Sequence, residues 1–160
     1  MFTAEQRAEK LESYARAYDI LMEFLSTLPK EMWQFKPEPH RWSVHEILIH
    51  ITDSEANSYV RCRRLIAEPG LDVMAYDENS WARALRYHDL GIEEALELFR
   101  LLRKSTYNII RDLPEETWSN TIHHPENGVM TMDDWLDNYE RHIPVHMAQM
   151  ERNLKAWENR

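Results

Sequence analysis

Trp42-Ser43-Val44-His45-Glu46-Ile47-Leu48-Ile49-His50-Ile51-Thr52-Asp53-Ser54-Glu55 reads as the opening of a long amphipathic helix. Ser43 precedes Glu46 by three residues, the spacing at which a hydroxyl and a carboxylate satisfy the first free amides of a helix. Beyond that start, Val44, Ile47, Leu48, Ile51, Tyr59, Cys62, Leu65 and Ile66 lie on one broad face, which predicts a helix over residues 44–66.

The same grammar recurs outward from this stretch. Leu11, Tyr14, Tyr18, Leu21, Leu25 and Leu28 alternate spacings of three and four before Pro29. Ile92, Ala95, Phe99, Leu102, Thr106, Ile109 and Leu113 do so before Pro114. Met132, Leu136, Tyr139, Ile143, His146, Met150 and Trp157 form a last stripe, opened by Thr131 with Asp134 three residues on. The halves also repeat weakly. Leu28 to Trp33 resembles Leu113 to Trp118, and Trp42 to Leu48 resembles Met130 to Leu136. Two related helical hairpins joined by the long connection 68–90 give an all-α four-helix bundle. A connection of that length can run the height of the bundle and leave the second and third helices parallel. Within it, Asp77 to Leu85 reads as one or two helical turns, and 118–130, with Asn127-Gly128, as a short hairpin.

Composition narrows the function classes. The chain has 160 residues, enough for one full core, and 1–160 reads as one domain. Three Gly and seven Pro argue against an all-β chain. A net charge of −9 repels phosphate backbones, and the short clusters Arg61–Arg63–Arg64 and Arg100–Arg103–Lys104 fall inside helical patterns, so no nucleic-acid partner is expected. No run approaches a membrane span, and the acidic start Met1 to Glu5 predicts no secretory leader. Cys62 is the single cysteine; it reads as a core residue in a reducing, cytoplasmic setting.

Eight histidines carry the candidate chemistry. Only His142 and His146 are four apart, which puts both imidazoles on one helix face, close enough to share an ion. His146 lies in the apolar stripe and His142 beside it, so both point inward and need partners. Either a metal ion or hydrogen bonds to nearby Tyr, Asp or Glu would supply them. A third ligand would come from the second helix. His45 and His50 are about 140° apart around that helix, and periodicity favours His50. In an antiparallel arrangement His50, His142 and His146 meet near mid-bundle. Glu46, one turn before His50, could accept its free N–H, with Asp53 and Glu140 as other options. Asn57 and Arg61 share the His50 side, and Arg61 could receive an anion. Trp81 stands in the connection that could cover the site. Trp42 and Trp135 read as plugs at helix starts, and His123 and His124 as exposed loop residues facing opposite ways. No Gly-x-Ser-x-Gly turn and no Gly-rich phosphate loop is present.

The segment Trp42 to Glu55, followed by Tyr139-Glu140-Arg141-His142-Ile143-Pro144-Val145-His146, resembles the paired signatures of the DinB/YfiT-like superfamily, and the likeness extends over nearly the whole chain. The resemblance implies an up-down-down-up bundle, often a homodimer, with a divalent metal on three His matching His50, His142 and His146. It also implies a small-molecule substrate: either hydrolysis, or transfer of a low-molecular-weight thiol to an electrophile. Zn or Ni is the expected ion, and imidazoles also suit Fe. The competing reading is a non-catalytic bundle serving dimerisation, binding or metal sensing. Pro144 departs from the pattern; it removes one helical amide, frees the carbonyl of Glu140 and marks a place for a kink.

Overall fold

A computed structural model describes residues 1–160. Its helices are α1 (Ala4–Ser26), α2 (Val44–Ala67), α3 (Glu78–Ala84), α4 (Ile92–Ile110) and α5 (Met132–Glu158). Strands β1 (Thr121–His124) and β2 (Gly128–Thr131) form one hairpin. Capping boxes open α1 at Thr3 and Gln6, α2 at Ser43 and Glu46, and α5 at Thr131 and Asp134. Helix α1 stops two residues short of Leu28, where the Ser26 and Thr27 hydroxyls donate to the carbonyls of Glu23 and Phe24 and the Thr27 and Leu28 amides turn back to Phe24 and Leu25. Leu28 is still buried, from the loop.

Polar contacts between helices give the topology. Arg7 meets Asp133, Lys10 meets Asp137 and Ser13 meets Glu140, so α1 and α5 run parallel. Thr52 reaches the Ala95 carbonyl, Arg103 reaches Glu55 and Arg63 reaches Thr106, so α2 and α4 also run parallel. Between α2 and α5 the order reverses: Trp135 donates to the Ser58 carbonyl, and Asn153 to that of Trp42. The bundle is therefore up-down-down-up, as expected.

The core falls into two apolar clusters. One gathers Leu21, Leu25, Met32, Ile47, Leu48, Ile51, Phe99 and Ile143; the other gathers Tyr14, Cys62, Leu65, Ile110, Trp118, Ile122 and Trp135. A polar layer crosses the bundle beside them. The Arg103 guanidinium, 2% exposed, donates to Glu55, 0% exposed, at 2.6 Å, and to the Tyr139 carbonyl at 3.2 Å. Tyr14 donates its hydroxyl to the same carboxylate at 2.8 Å. Arg103 also lies over the Tyr14 and Phe99 rings.

The connection 68–91 is anchored at several points. Its beginning lies along the hairpin, through amide bonds Gly70 to Thr121, Val73 to His123 and His123 to Leu71. Gly128 closes the hairpin turn at φ 72°, in the left-handed region that favours glycine. His124 corrects the sequence reading. It is buried, and its Nδ1 accepts the amides of Glu126 and Asn127, while its neighbour His123 faces out. Strand alternation places one of the pair inside. Further on, α3 is capped by Asp77 and packs Ala82 against Ile49 and Tyr87.

Candidate metal centre

His50 sits two turns into α2 and is 1% exposed. His142 and His146 come from one face of α5, and their Nε2 atoms approach to 3.1 Å. The three residues offer ligand atoms that all lie within 4.8 Å of one another. Helix α5 runs unbroken through Pro144, so both imidazoles still converge.

Burial holds all three rings neutral. It pushes His50 down to about 3, helped by the neighbouring His146. It pushes His142 well below its ordinary value, again with His146 and His50 adding to the effect. It lowers His146 too, against a hydrogen bond to Gln149 that works the other way. Neutral imidazoles present lone pairs, the form a metal needs. His146 Nδ1 lies 2.9 Å from Gln149 Oε1, an acceptor, which places the proton on Nδ1 and leaves Nε2 free to ligate.

The two α5 donors are spaced to share one metal ion, with His50 facing them. Two nitrogens bound at about 2.0–2.1 Å to one ion and 3.1 Å apart subtend about 100°, close to tetrahedral. The Nδ1 atoms of His50 and His142 are buried without a protein partner, so hydrogen bonding within the chain leaves these two atoms unsatisfied.

The other sequence candidates do not touch the three rings. Glu46 shares the His50 side of α2 but is occupied: it accepts the Ser43 amide and an ion pair from Lys36. Asp53 accepts the Tyr87 hydroxyl at 2.5 Å, and Asn57 donates to the Asp53 carbonyl. Arg61 is held by the Tyr139 hydroxyl and the Met74 carbonyl, not left free for an anion. Glu140 faces α1, where it meets Ser13 and Lys10. Trp81 packs tilted against Tyr76 and lines a groove with Asn57 and Arg61 on the flank of α2.

Three unforeseen residues do approach. The Trp42 ring is 4.7 Å from that of His50, so it packs on a ligand as well as closing the helix start. Gln149 orients His146; its i,i+3 spacing was a readable signal. Glu78, from the stretch read as one or two helical turns, places Oε1 3.9 Å from His50 Nε2. Burial, together with Glu126 and Asp77, pushes its carboxyl up. A cavity of about 340 Å³ opens between Trp42, Glu78, His146 and Arg152, so one side of the cluster is reachable by a small molecule. His45 lies elsewhere, hydrogen-bonded to the Leu90 carbonyl beside His88.

Comparison with known proteins adds four findings. The DinB superfamily profile matches residues 13–150. A protein of Oceanobacillus iheyensis, named as a proposed metal-dependent hydrolase, is 32% identical over 109 residues, covering 68% of this chain and 63% of that one. A Bacillus cereus protein of the same description is 26% identical over 153 residues, covering 91% and 88%. The chain thus spans less than two thirds of the Oceanobacillus protein's length, and most of the Bacillus one. The fold is similar to that of YfiT from Bacillus subtilis, with a TM-score of 0.89 at 19% identity over 99% of this chain and 91% of that one. YfiT is described as a probable metal-dependent hydrolase with an unusual four-helix bundle topology.

Proposed function

This chain belongs to the DinB superfamily, and from that premise we propose that it is a divalent-metal-dependent enzyme whose ion is held by His50, His142 and His146. The observation that carries the reading is the convergence of three neutral imidazoles, His50 and His146 buried and His142 half-buried, with His146 at the wall of an open cavity. The reaction is hydrolysis of a small substrate, with transfer of a low-molecular-weight thiol to an electrophile as the second reading. Relatives named for metal-dependent hydrolysis favour the first. Three neutral ligands leave the ion its full charge, which serves either chemistry, and Zn²⁺ or Ni²⁺ suits the imidazole set. Once bound, the ion would act as a Lewis acid and lower the pKa of a water or thiol beside it.

The chain's own residues prepare the site. Gln149 fixes the tautomer and direction of His146. Trp42 packs tilted against the His50 ring, which is 1% exposed. The cavity between Trp42, Glu78 and Arg152 brings a substrate to His146.

The test is elemental analysis of untagged protein purified without chelators, beside the His142→Ala/His146→Ala double variant. The expected result is one divalent ion per wild-type chain and none in the variant. At an ion concentration 100-fold above Kd, binding adds about 2.7 kcal/mol, a rise in Tm of roughly 5–10 °C for a domain of this size. Wild type that neither carries metal nor shifts on adding Zn²⁺ or Ni²⁺ would overturn the proposal. Loaded protein is then screened with ester and amide substrates and, separately, with thiols plus an electrophile, which discriminates the two reactions.

A further inference from the structure

We propose that the cavity beside His146 selects substrates carrying an oxyanion, received by Arg152 and Arg41, a few atoms from the group that reacts at the histidines. The inference rests on the metal-centre reading above and adds to it the class of substrate.

The lining is the first argument. Small-molecule pockets are walled mostly by apolar and aromatic side chains. Here one of nine lining residues, Trp42, is apolar. The rest of the wall is rich in donors. Arg41 and Arg152 can only donate. Gln149 has its oxygen taken by His146, so the group it keeps free is the NH₂ donor. Glu78 is the one carboxylate, and it comes from α3, beside His50. The two arginines outnumber it, in a chain whose net charge is −9. An apolar substrate would strip water from these groups and return nothing, whereas an anion pairs with them.

Uncommitted charge is the second argument. Arg152 is exposed, and no ion pair of the chain involves it. Arg41 has one carboxylate contact, Glu38 at 3.4 Å, and that carboxylate also lies 3.2 Å from His40. These side chains are exposed, and contacts of that kind hold little energy, so Arg41 can exchange Glu38 for a substrate. A guanidinium presents a planar fork that takes a carboxylate through two parallel hydrogen bonds.

Construction is the third argument. Arg152 follows His146 by six residues, about 9 Å along α5. Side chains lean toward the N-terminal end of their helix, so Arg152 leans back toward His146. Asn153, 3% exposed, donates to the Trp42 carbonyl at 2.9 Å and ties the segment that carries Arg41 onto α5. Both cations therefore line the same cavity as His146 from anchored elements.

The test is calorimetric titration of Zn²⁺-loaded protein with acetate, succinate, glutarate and adipate. It compares wild type with Arg152→Gln and Arg41→Gln/Arg152→Gln, after elemental analysis has measured the ion in each sample. Acetate offers only the carboxylate that sits at the ion, and the diacids add a second one at increasing reach. At least one diacid should bind wild type about 10-fold more tightly than acetate, well beyond the statistical gain of about two-fold from its two equivalent ends. The double variant should lose that advantage and bind acetate as wild type does, with its melting temperature unchanged. The absence of any diacid advantage beyond the statistical gain would overturn the inference while leaving the metal centre in place. So would an advantage that survives in the double variant. Wild type that carries no ion would overturn the three-histidine centre itself, and this inference with it.

Discussion

Replacing Arg103 with methionine should destabilise the protein by an amount that depends on pH in a calculable way. Arg103 and Glu55 are 2.6 Å apart and almost fully buried, and the Tyr14 hydroxyl is the carboxylate's other partner. Methionine keeps the packing against Tyr14 and Phe99 but removes the counter-charge. Breaking such a pair costs about 3–5 kcal/mol when the remaining charge cannot escape. Glu55 can escape by taking a proton. From an unfolded value near 4.3, holding it neutral at pH 7 costs about 3.7 kcal/mol, and at pH 5 about 1 kcal/mol. The sign follows: the variant's carboxyl has a folded pKa raised above the unfolded one, so its penalty grows as pH rises. Glu55→Gln leaves a guanidinium that cannot lose its proton, so its cost of about 3–5 kcal/mol should be nearly constant from pH 5 to pH 8. The double variant should lose much less than the sum. Urea denaturation of the four proteins at pH 5 and pH 7 measures all of this. An Arg103→Met cost below about 1 kcal/mol at pH 7, or equal costs at both pH values, would refute the reasoning.

Two further perturbations test the local readings. Pro144 is exposed inside an unbroken helix, so Pro144→Ala should restore an amide donor toward the Glu140 carbonyl and stabilise the fold by about 1–3 kcal/mol; a lower melting temperature would mean that the proline shapes α5. Burial acts against the Glu46 carboxylate, but the Ser43 amide and Lys36 outweigh it and hold the group below its ordinary value. Its contribution is then present above about pH 4.3 and lost as pH falls through the lowered folded value. Glu46→Gln should cost about 1 kcal/mol at pH 7 and approach wild type in acid; a gap that stays constant into acid would count against the carboxylate's role.

What the sequence made legible was local. Ser43 with Glu46 and Thr131 with Asp134 announce helix starts because a cap is made within four residues. His142 and His146 were readable as a pair because one helical turn sets their spacing, and the face of α2 pointed to His50 over His45. Non-local contacts were not legible. Arg103 and Glu55 look like surface charges in a helical pattern, and only the crossing of α2 and α4 puts them inside. Glu46 had the right offset from His50, yet the cap and Lys36 claim it. The turns that carry Glu78 were legible, but not that they pack on α2 and set it beside His50. His124 turned inward because the hairpin, weakly signalled, formed and alternation took over.

The pairing of α1 with α5 has a consequence for the order of events during synthesis. The contacts Arg7–Asp133, Lys10–Asp137 and Ser13–Glu140 each span about 130 residues, as the separations of 126 for Arg7 and 127 for the others show. At roughly 5–20 residues per second, the first helix waits on the order of 6–25 s for its partner to be made. Until then its edge residues Arg7, Lys10 and Ser13 face solvent or a chaperone, and α2 holds His50 with neither partner imidazole. The two halves of the cluster join only when the last helix docks, so a nascent chain stopped before Met132 would be denied both the closing wall of the bundle and two of its three converging histidines.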